Sequence, residues 1–247
     1  MREMNMTREQ QKQWIKDQMA VIDILLSDVQ AEQFCRYYEM LVEKNKVMNL
    51  TAITEFEDVV QKHFVDSVIL PKRFAENPEH IALIDVGTGA GFPGIPLKIV
   101  YPEMKVVLLD SLNKRILFLR DVIQELHLEN IQGVHARAED GARNPLYREK
   151  FQLCVSRAVA NLSILSEYCL PFLAVGGTFV SYKSGDIDEE LAKAEKGIAC
   201  LGGAVKEKIG FSLPESSISR SFIIIKKEKK TGKQYPRKAG LPAKQPL

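Results

Sequence analysis

An aspartate and three glycines at alternate positions, Asp85-Val86-Gly87-Thr88-Gly89-Ala90-Gly91, carry the clearest chemical signal in the chain. Apolar residues from Ile81 to Val86 lead into them, and Ile95 to Val100 follow in helical style. Glycines let a backbone approach a ligand closely and adopt positive φ where a side chain would clash. A strand, a glycine turn and a helix start together form a cradle for a nucleotide-like ligand.

Two ligands compete for this cradle. A dinucleotide needs GxGxxG, which Gly89 to Gly94 supplies. However, Pro93 and Pro96 stand where a pyrophosphate would want free backbone N–H groups, and proline has none. The other template is an acidic residue followed by GxGxG, which Asp85, Gly87, Gly89 and Gly91 fill. S-adenosylmethionine carries no phosphate, and its ammonium suits a carboxylate such as Asp85. The prolines and the acidic lead favour the methyl donor.

Further candidates lie downstream. Asp110 ends a second apolar run about 20 residues on, where a carboxylate can accept from ribose hydroxyls. It serves either nucleoside equally, and Asp110 or Ser111 could instead cap the next helix. Ala136-Arg137-Ala138-Glu139-Asp140 offers acidic groups to an adenine amine, or simply opens a helix. His63 and Asp66 sit one helical turn apart, a spacing that is more often structural than catalytic. Cys35, Cys154, Cys169 and Cys200 are scattered without a CxxC pair, as free buried thiols would be, and no metal site is expected.

Charge is unevenly spread. From Lys226 onward eight basic residues oppose Glu228 alone, a net +7, which leaves −5 on the rest of a chain whose total is +2. Such a tail fits a polyanionic partner, or a solvated terminus.

These residues need a scaffold. With 247 residues, 45% of them hydrophobic and 27% charged, the chain can bury a full core. It shows no apolar run of the roughly 18 residues a membrane span needs and no signal peptide. Residues 8–46 read as helix broken at Ser27-Asp28, and 55–70 as a third helix that Pro71 stops or bends. Strands are expected at 81–86, 106–109, 131–135, 153–155, 178–182, 205–211 and 221–226. Helices are expected at 93–100, 112–126, 162–173 and 187–201. That alternation predicts an α/β fold with a parallel sheet, its last two strands forming a hairpin at one edge. Three regions follow: a helical cap (1–78), a catalytic domain (79–228) and a basic tail (229–247).

DVGTGAGFPGIPL, LLDSLNKRILFLRDV, ARAED, VSRAVA and YPRKAGLPAKQPL, with NLTAIT and HFVDS, closely resemble the bacterial 16S rRNA guanine-N7 methyltransferases (RsmG, or GidB). Coverage runs from about residue 30 to the C-terminus. The resemblance implies a Rossmann-like class I S-adenosylmethionine-dependent fold and methylation of the guanine at position 527 of 16S rRNA. It also implies cofactor contacts at Gly87, Phe92, Ala138, Glu139 and Arg157, with Asp85, Gly89, Asp110 and Ser111 in the same pocket. The substrate would be 16S rRNA in the 30S subunit or an assembly precursor, met in the cytoplasm by a monomer.

The residues agree with that chemistry through what they omit. No cysteine follows a proline, as methylation of a pyrimidine C5 would want, and Val155 to Ala160 replace the (N/D)PP(Y/F) loop of amine methylation. Guanine N7 is an unprotonated lone pair, so no general base is required and none is assigned. Arg157, Lys183, Lys233, Arg237 and Lys238 are the expected RNA contacts, and Tyr235 could stack on a base. On this reading the tail anchors RNA and takes no part in the cofactor site. A nicotinamide-dependent oxidoreductase and a non-enzymatic ribosome assembly factor are the competing readings.

Overall fold

The computed structural model describes residues 6–70, 74, 80–185 and 187–247. Pro71 and the boundary at 78 lie outside them.

Five helical pieces come first among the described residues. Helix α1 (Arg8–Ala20) and helix α2 (Asp28–Met48) each start with a reciprocal cap, Thr7 with Gln10 and Ser27 with Gln30. Asn49, at φ 50°, closes α2 in the left-handed region. The expected third helix is broken into α3 (Phe56–Val59), a π-helical segment (Val60–Val65) and α4 (Asp66–Val68). The wider π turn shifts the side-chain register. It keeps Phe64 and Val65 buried while His63 stacks on Phe92 with ring centroids 4.6 Å apart.

The rest alternates as the sequence predicts. Strand β1 (Ala82–Val86) precedes α5 (Gly94–Val100), β2 (Lys105–Asp110) precedes α6 (Asn113–Glu125), and β3 (Ile131–His135) precedes α7 (Ala138–Gly141). Then come β4 (Phe151–Arg157), α8 (Leu162–Cys169), β5 (Leu173–Ser184), α9 (Asp188–Cys200), β6 (Gly203–Ser212), β7 (Ser219–Lys227) and α10 (Leu241–Lys244). Pro171 cuts α8 short of its expected end, and a single 3-10 turn leads into a β5 longer than expected.

The seven strands run in the order β3-β2-β1-β4-β5-β7-β6. Pairings are parallel as far as β5, and β7 inserts antiparallel between β5 and β6. This is the Rossmann-like methyltransferase sheet, with its terminal hairpin at one edge. Successive strand residues face opposite sides. Leu83, Val106, Leu108, Leu153 and Val155 enter one core, whereas Ile84, Val107, Leu109 and Cys154 enter the other. Each such side chain contributes about 1.5–3 kcal/mol by leaving water.

The two faces are covered differently. Ile15, Phe34, Tyr37, Leu41 and Phe64 of the N-terminal helices share the first core with residues of α5 and α6. Helices α8 and α9 cover the second, joined there by Tyr235 and Leu247 from the chain's end. The helical cap is therefore packed into the sheet's own core. Cys200, unlike the other three cysteines, is exposed. No described helix is long and apolar enough to cross a membrane.

Candidate functional site

The glycine turn leaves β1 at the carboxyl end of the sheet, where α/β proteins bind ligands. Gly87, Gly89 and Gly91 all have positive φ, at 74°, 63° and 108°. Gly91 is also sterically locked, since a Cβ there would stand 2.7 Å from both Tyr37 Oη and Ile95. Tyr37 donates to Ala90 O at 2.6 Å, so α2 holds the turn from behind.

Asp85 is fully buried and faces inward. Its Oδ2 accepts from Thr88 Oγ1 at 2.6 Å and from Gly94 N–H at 2.9 Å, while Oδ1 is buried without a partner. Burial pushes its carboxyl up to about 7, against the pull of those two donors. It is absent from the walls of both cavities described below. The carboxylate instead occupies the start of α5, where it takes the Gly94 N–H that a pyrophosphate would have needed.

Two of the cavities at this end of the sheet contain expected site residues. The smaller, about 150 Å³, is walled by Gly87, Asp110, Ser111, Ala138, Glu139 and Tyr168, among others. Five of the expected cofactor residues thus come together. Asp110 Oδ2 accepts from Gly89 N–H at 3.0 Å and Oδ1 from Leu112 N–H at 2.9 Å, so it both faces the slot and ties the turn to β2. Glu139 is 4% exposed. Its Oε1 accepts from Gly240 N–H at 2.8 Å.

The larger cavity, about 580 Å³, lies between the N-terminal helices and the ends of β4, β5 and β7. Its walls include His63, Asp66, Arg157, Tyr182, Lys183 and Arg220. Asp66 is gripped by two arginines, Arg157 Nη1 at 2.9 Å and Arg220 Nε at 3.0 Å. His63 and Asp66 do not pair with each other; both serve Arg157, whose Nη2 lies 3.3 Å from His63 Nδ1. Burial, helped by the Arg157 charge, lowers His63 to about 4, so the ring is neutral at physiological pH. Phe92 sits under the Arg157 guanidinium, 5.0 Å from ring centroid to carbon, on the cap side and outside the walls of the slot.

The loop after β4 divides the two cavities. Ala158 and Ala160 face the larger and Val159 the smaller. Val159 Cγ2 would stand 2.5 Å from a Cβ on Gly87.

The expected RNA contacts are dispersed. Lys183 Nζ is engaged by Glu190 at 2.5 Å and Ala160 O at 2.9 Å. Arg237 is bound bidentately to the buried Glu167, and Tyr235 Oη accepts from Cys200 Sγ at 3.2 Å. The basic tail is thus a folded strap, and its Gly240 N–H meets Glu139 of the smaller cavity. Hydrogen bonding explains this, because the strap's polar groups find partners on α7 and α8 and around Arg148. Lys233 and Lys238 remain exposed and make no ion pair among the described residues. Arg148, Glu167 and Arg220 carried no sequence signal, because their partners lie 70 to 154 positions away.

The family described as rRNA small subunit methyltransferase G (GidB) matches residues 30–218. The ribosomal RNA small subunit methyltransferase G of Lachnoclostridium phytofermentans is 54% identical over 222 residues, 90% of this chain and 91% of that protein. Its namesake in Brevibacillus brevis is 49% identical over 242 residues, 98% of this chain and 100% of that protein. Among solved structures, the fold is shared with a mutant of MtNAS at a TM-score of 0.53 and 11% identity, covering 90% of this chain and 87% of that one. It is shared too with YcgJ of Bacillus subtilis, at 0.50 and 14% identity, covering 66% and 99%.

Proposed function

This chain belongs to the rRNA small subunit methyltransferase G family, and on that footing we propose that it transfers a methyl group from S-adenosylmethionine to N7 of a guanine in 16S rRNA. By the resemblance the base is the guanine at position 527, and the reaction takes place in the cytoplasm on the 30S subunit or its precursor. The observation that carries this is the pair of cavities meeting at the loop after β4, one of nucleoside character and one large enough for a base.

The residues of the smaller cavity fit the donor's nucleoside. Asp110 presents a carboxylate to ribose hydroxyls, Glu139 offers one to an adenine amine, and Ala138 and Gly87 leave room for the ring and the chain beyond it. The occupied start of α5 removes the phosphate site a dinucleotide would use. When bound, the donor supplies an electrophilic methyl on a sulfonium.

The chain's own part is placement. N7 has a free lone pair, so no residue need take a proton before attack, and alignment with exclusion of water carries the rate. Arg157, fixed by Asp66, His63 and the Phe92 face, lines the larger cavity beside the loop that divides the two and can meet the donor's carboxylate or an rRNA phosphate. A neutral His63 adds no charge beside a base that becomes cationic on methylation. The target must be unpaired or splayed, because N7 lies in the deep, narrow major groove of A-form RNA.

The test is transfer of a labelled methyl group from S-adenosylmethionine to 30S subunits from cells lacking the protein, with the label mapped. Label at guanine N7 is expected; no transfer to any ribosomal particle would overturn the reading.

A further inference from the structure

The C-terminal strap runs along the outer wall of the nucleoside slot and is fixed at several points, among them Arg143, which donates to Pro236 O at 2.6 Å. Arg148 donates to the carbonyls of Thr231, Gly232 and Tyr235 at 2.9, 3.2 and 2.9 Å. Arg237 then meets Glu167, with Nε 3.0 Å from Oε1 and Nη2 2.7 Å from Oε2, and its backbone N–H donates to the same Oε1 at 2.7 Å. The Glu167 side chain is 1% exposed, so this is a buried, forked ion pair with fixed geometry. Three residues on, Gly240 takes a φ of 83° and turns its N–H onto Glu139 Oε1 at 2.8 Å.

Glu139 and Tyr168, the neighbour of Glu167 on α8, both line the slot. The strap therefore grips the slot's outer wall at two adjacent places. A glutamate loses considerable rotamer freedom when held. A contact at Oε1 from outside orients Oε2 without consuming it.

We propose that Arg237 is a positioning residue for the methyl-donor slot: pinned on Glu167, it sets the Gly240 N–H against Glu139 and holds that carboxylate in its binding orientation. This rests on the reading of the slot as the donor's nucleoside site. Arg237 itself touches neither donor nor base. It works through Gly240 and Glu139, as a supporting layer does for any binding group.

The test measures S-adenosylmethionine affinity by calorimetry on the full chain and methyl transfer to 30S subunits. Arg237→Gln should weaken donor binding about tenfold, the loss expected when one charge-assisted hydrogen bond is misaligned. KM for the donor should rise equally, while kcat at saturating donor and KM for 30S stay within about twofold. Arg237→Lys should recover part of the affinity. In a Glu139→Gln background, Arg237→Gln should add less than about twofold, because the residue it acts through is already altered. Glu167→Gln, which keeps the side-chain volume, should reproduce the split. Unchanged donor affinity in Arg237→Gln or Glu167→Gln, even with lowered thermal stability, overturns the inference, as does a full additional loss in the Glu139→Gln background. A wild-type protein that binds no S-adenosylmethionine overturns the reading of the slot itself.

Discussion

Asp66 and Arg157 lie 2.9 Å apart across 91 positions of sequence, and their contact joins the N-terminal helices to the end of β4. The Asp66 side chain is 5% exposed, and its second oxygen is taken by Arg220. Removing it would leave two guanidinium groups without their counter-charge at the cavity wall. Asp66→Ala should therefore cost about 3–5 kcal/mol in denaturant unfolding, the range for breaking a buried pair from one side. Asp66→Asn, which keeps the shape, should cost less. Both should slow methyl transfer under conditions where the protein remains folded; an Asp66→Ala protein of wild-type stability would show the clamp to be idle.

Asp85 and His63 should give opposite slopes of stability with pH. Asp85 is raised from 3.8 to about 7 in the fold, so its contribution is complete below 3.8 and is lost as pH rises to 7. His63 is lowered from 6.5 to about 4, so its contribution is complete above 6.5 and is lost as pH falls to 4. The windows overlap, and the wild type should be nearly flat between them. Asp85→Asn should then make stability climb with pH, by up to about 1.4 kcal/mol per unit. His63→Gln should make it fall. Urea titrations from pH 4.5 to 7 decide this, and parallel curves for the two variants would refute it.

The turn's glycines make a separate claim. Gly87→Ala forces a side chain into φ 74° and within 2.5 Å of Val159 Cγ2. The strained backbone should cost about 1 kcal/mol of stability. Donor affinity should drop by about tenfold or more, since the new methyl displaces the loop that divides the two cavities. Adding Val159→Ala should restore part of the affinity but none of the backbone cost. Calorimetry on the single and double variants separates the two effects.

Much of this was legible in the sequence for identifiable reasons. Strand alternation, the apolar runs and the caps at Thr7 and Ser27 are local signals, so the strand positions and the first two helices follow from short stretches. The gathering of Gly87, Asp110, Ser111, Ala138 and Glu139 into one slot follows from their place at strand ends. What escaped was non-local. Asp85 reads as a ligand by position, yet one of its oxygens, Oδ2, is taken by Thr88 and Gly94, which the GxGxG pattern does not announce. The tail reads as a polyelectrolyte because Glu167, Arg148 and Glu139, which fold it, are 70 to 101 positions away. Charge composition alone cannot distinguish an arginine that waits for a phosphate from one already bound.

That distinction yields the last prediction. Lys233 and Lys238 are the strap's expected RNA contacts that stay exposed, while Arg237 between them is committed to Glu167. Each exposed lysine that meets a phosphate releases counterions, and its loss should lower the slope of log affinity against log salt by about one. Lys233→Gln and Lys238→Gln should thus weaken 30S binding most at low salt and leave donor affinity unchanged. Arg237→Gln should do the reverse, with a wild-type salt slope and weakened donor binding. Binding to 30S subunits across a salt series, set beside donor calorimetry, reads both at once. A reduced salt slope in Arg237→Gln would mean that its ion pair with Glu167 opens when RNA arrives, and the strap would then be an RNA contact along its whole length.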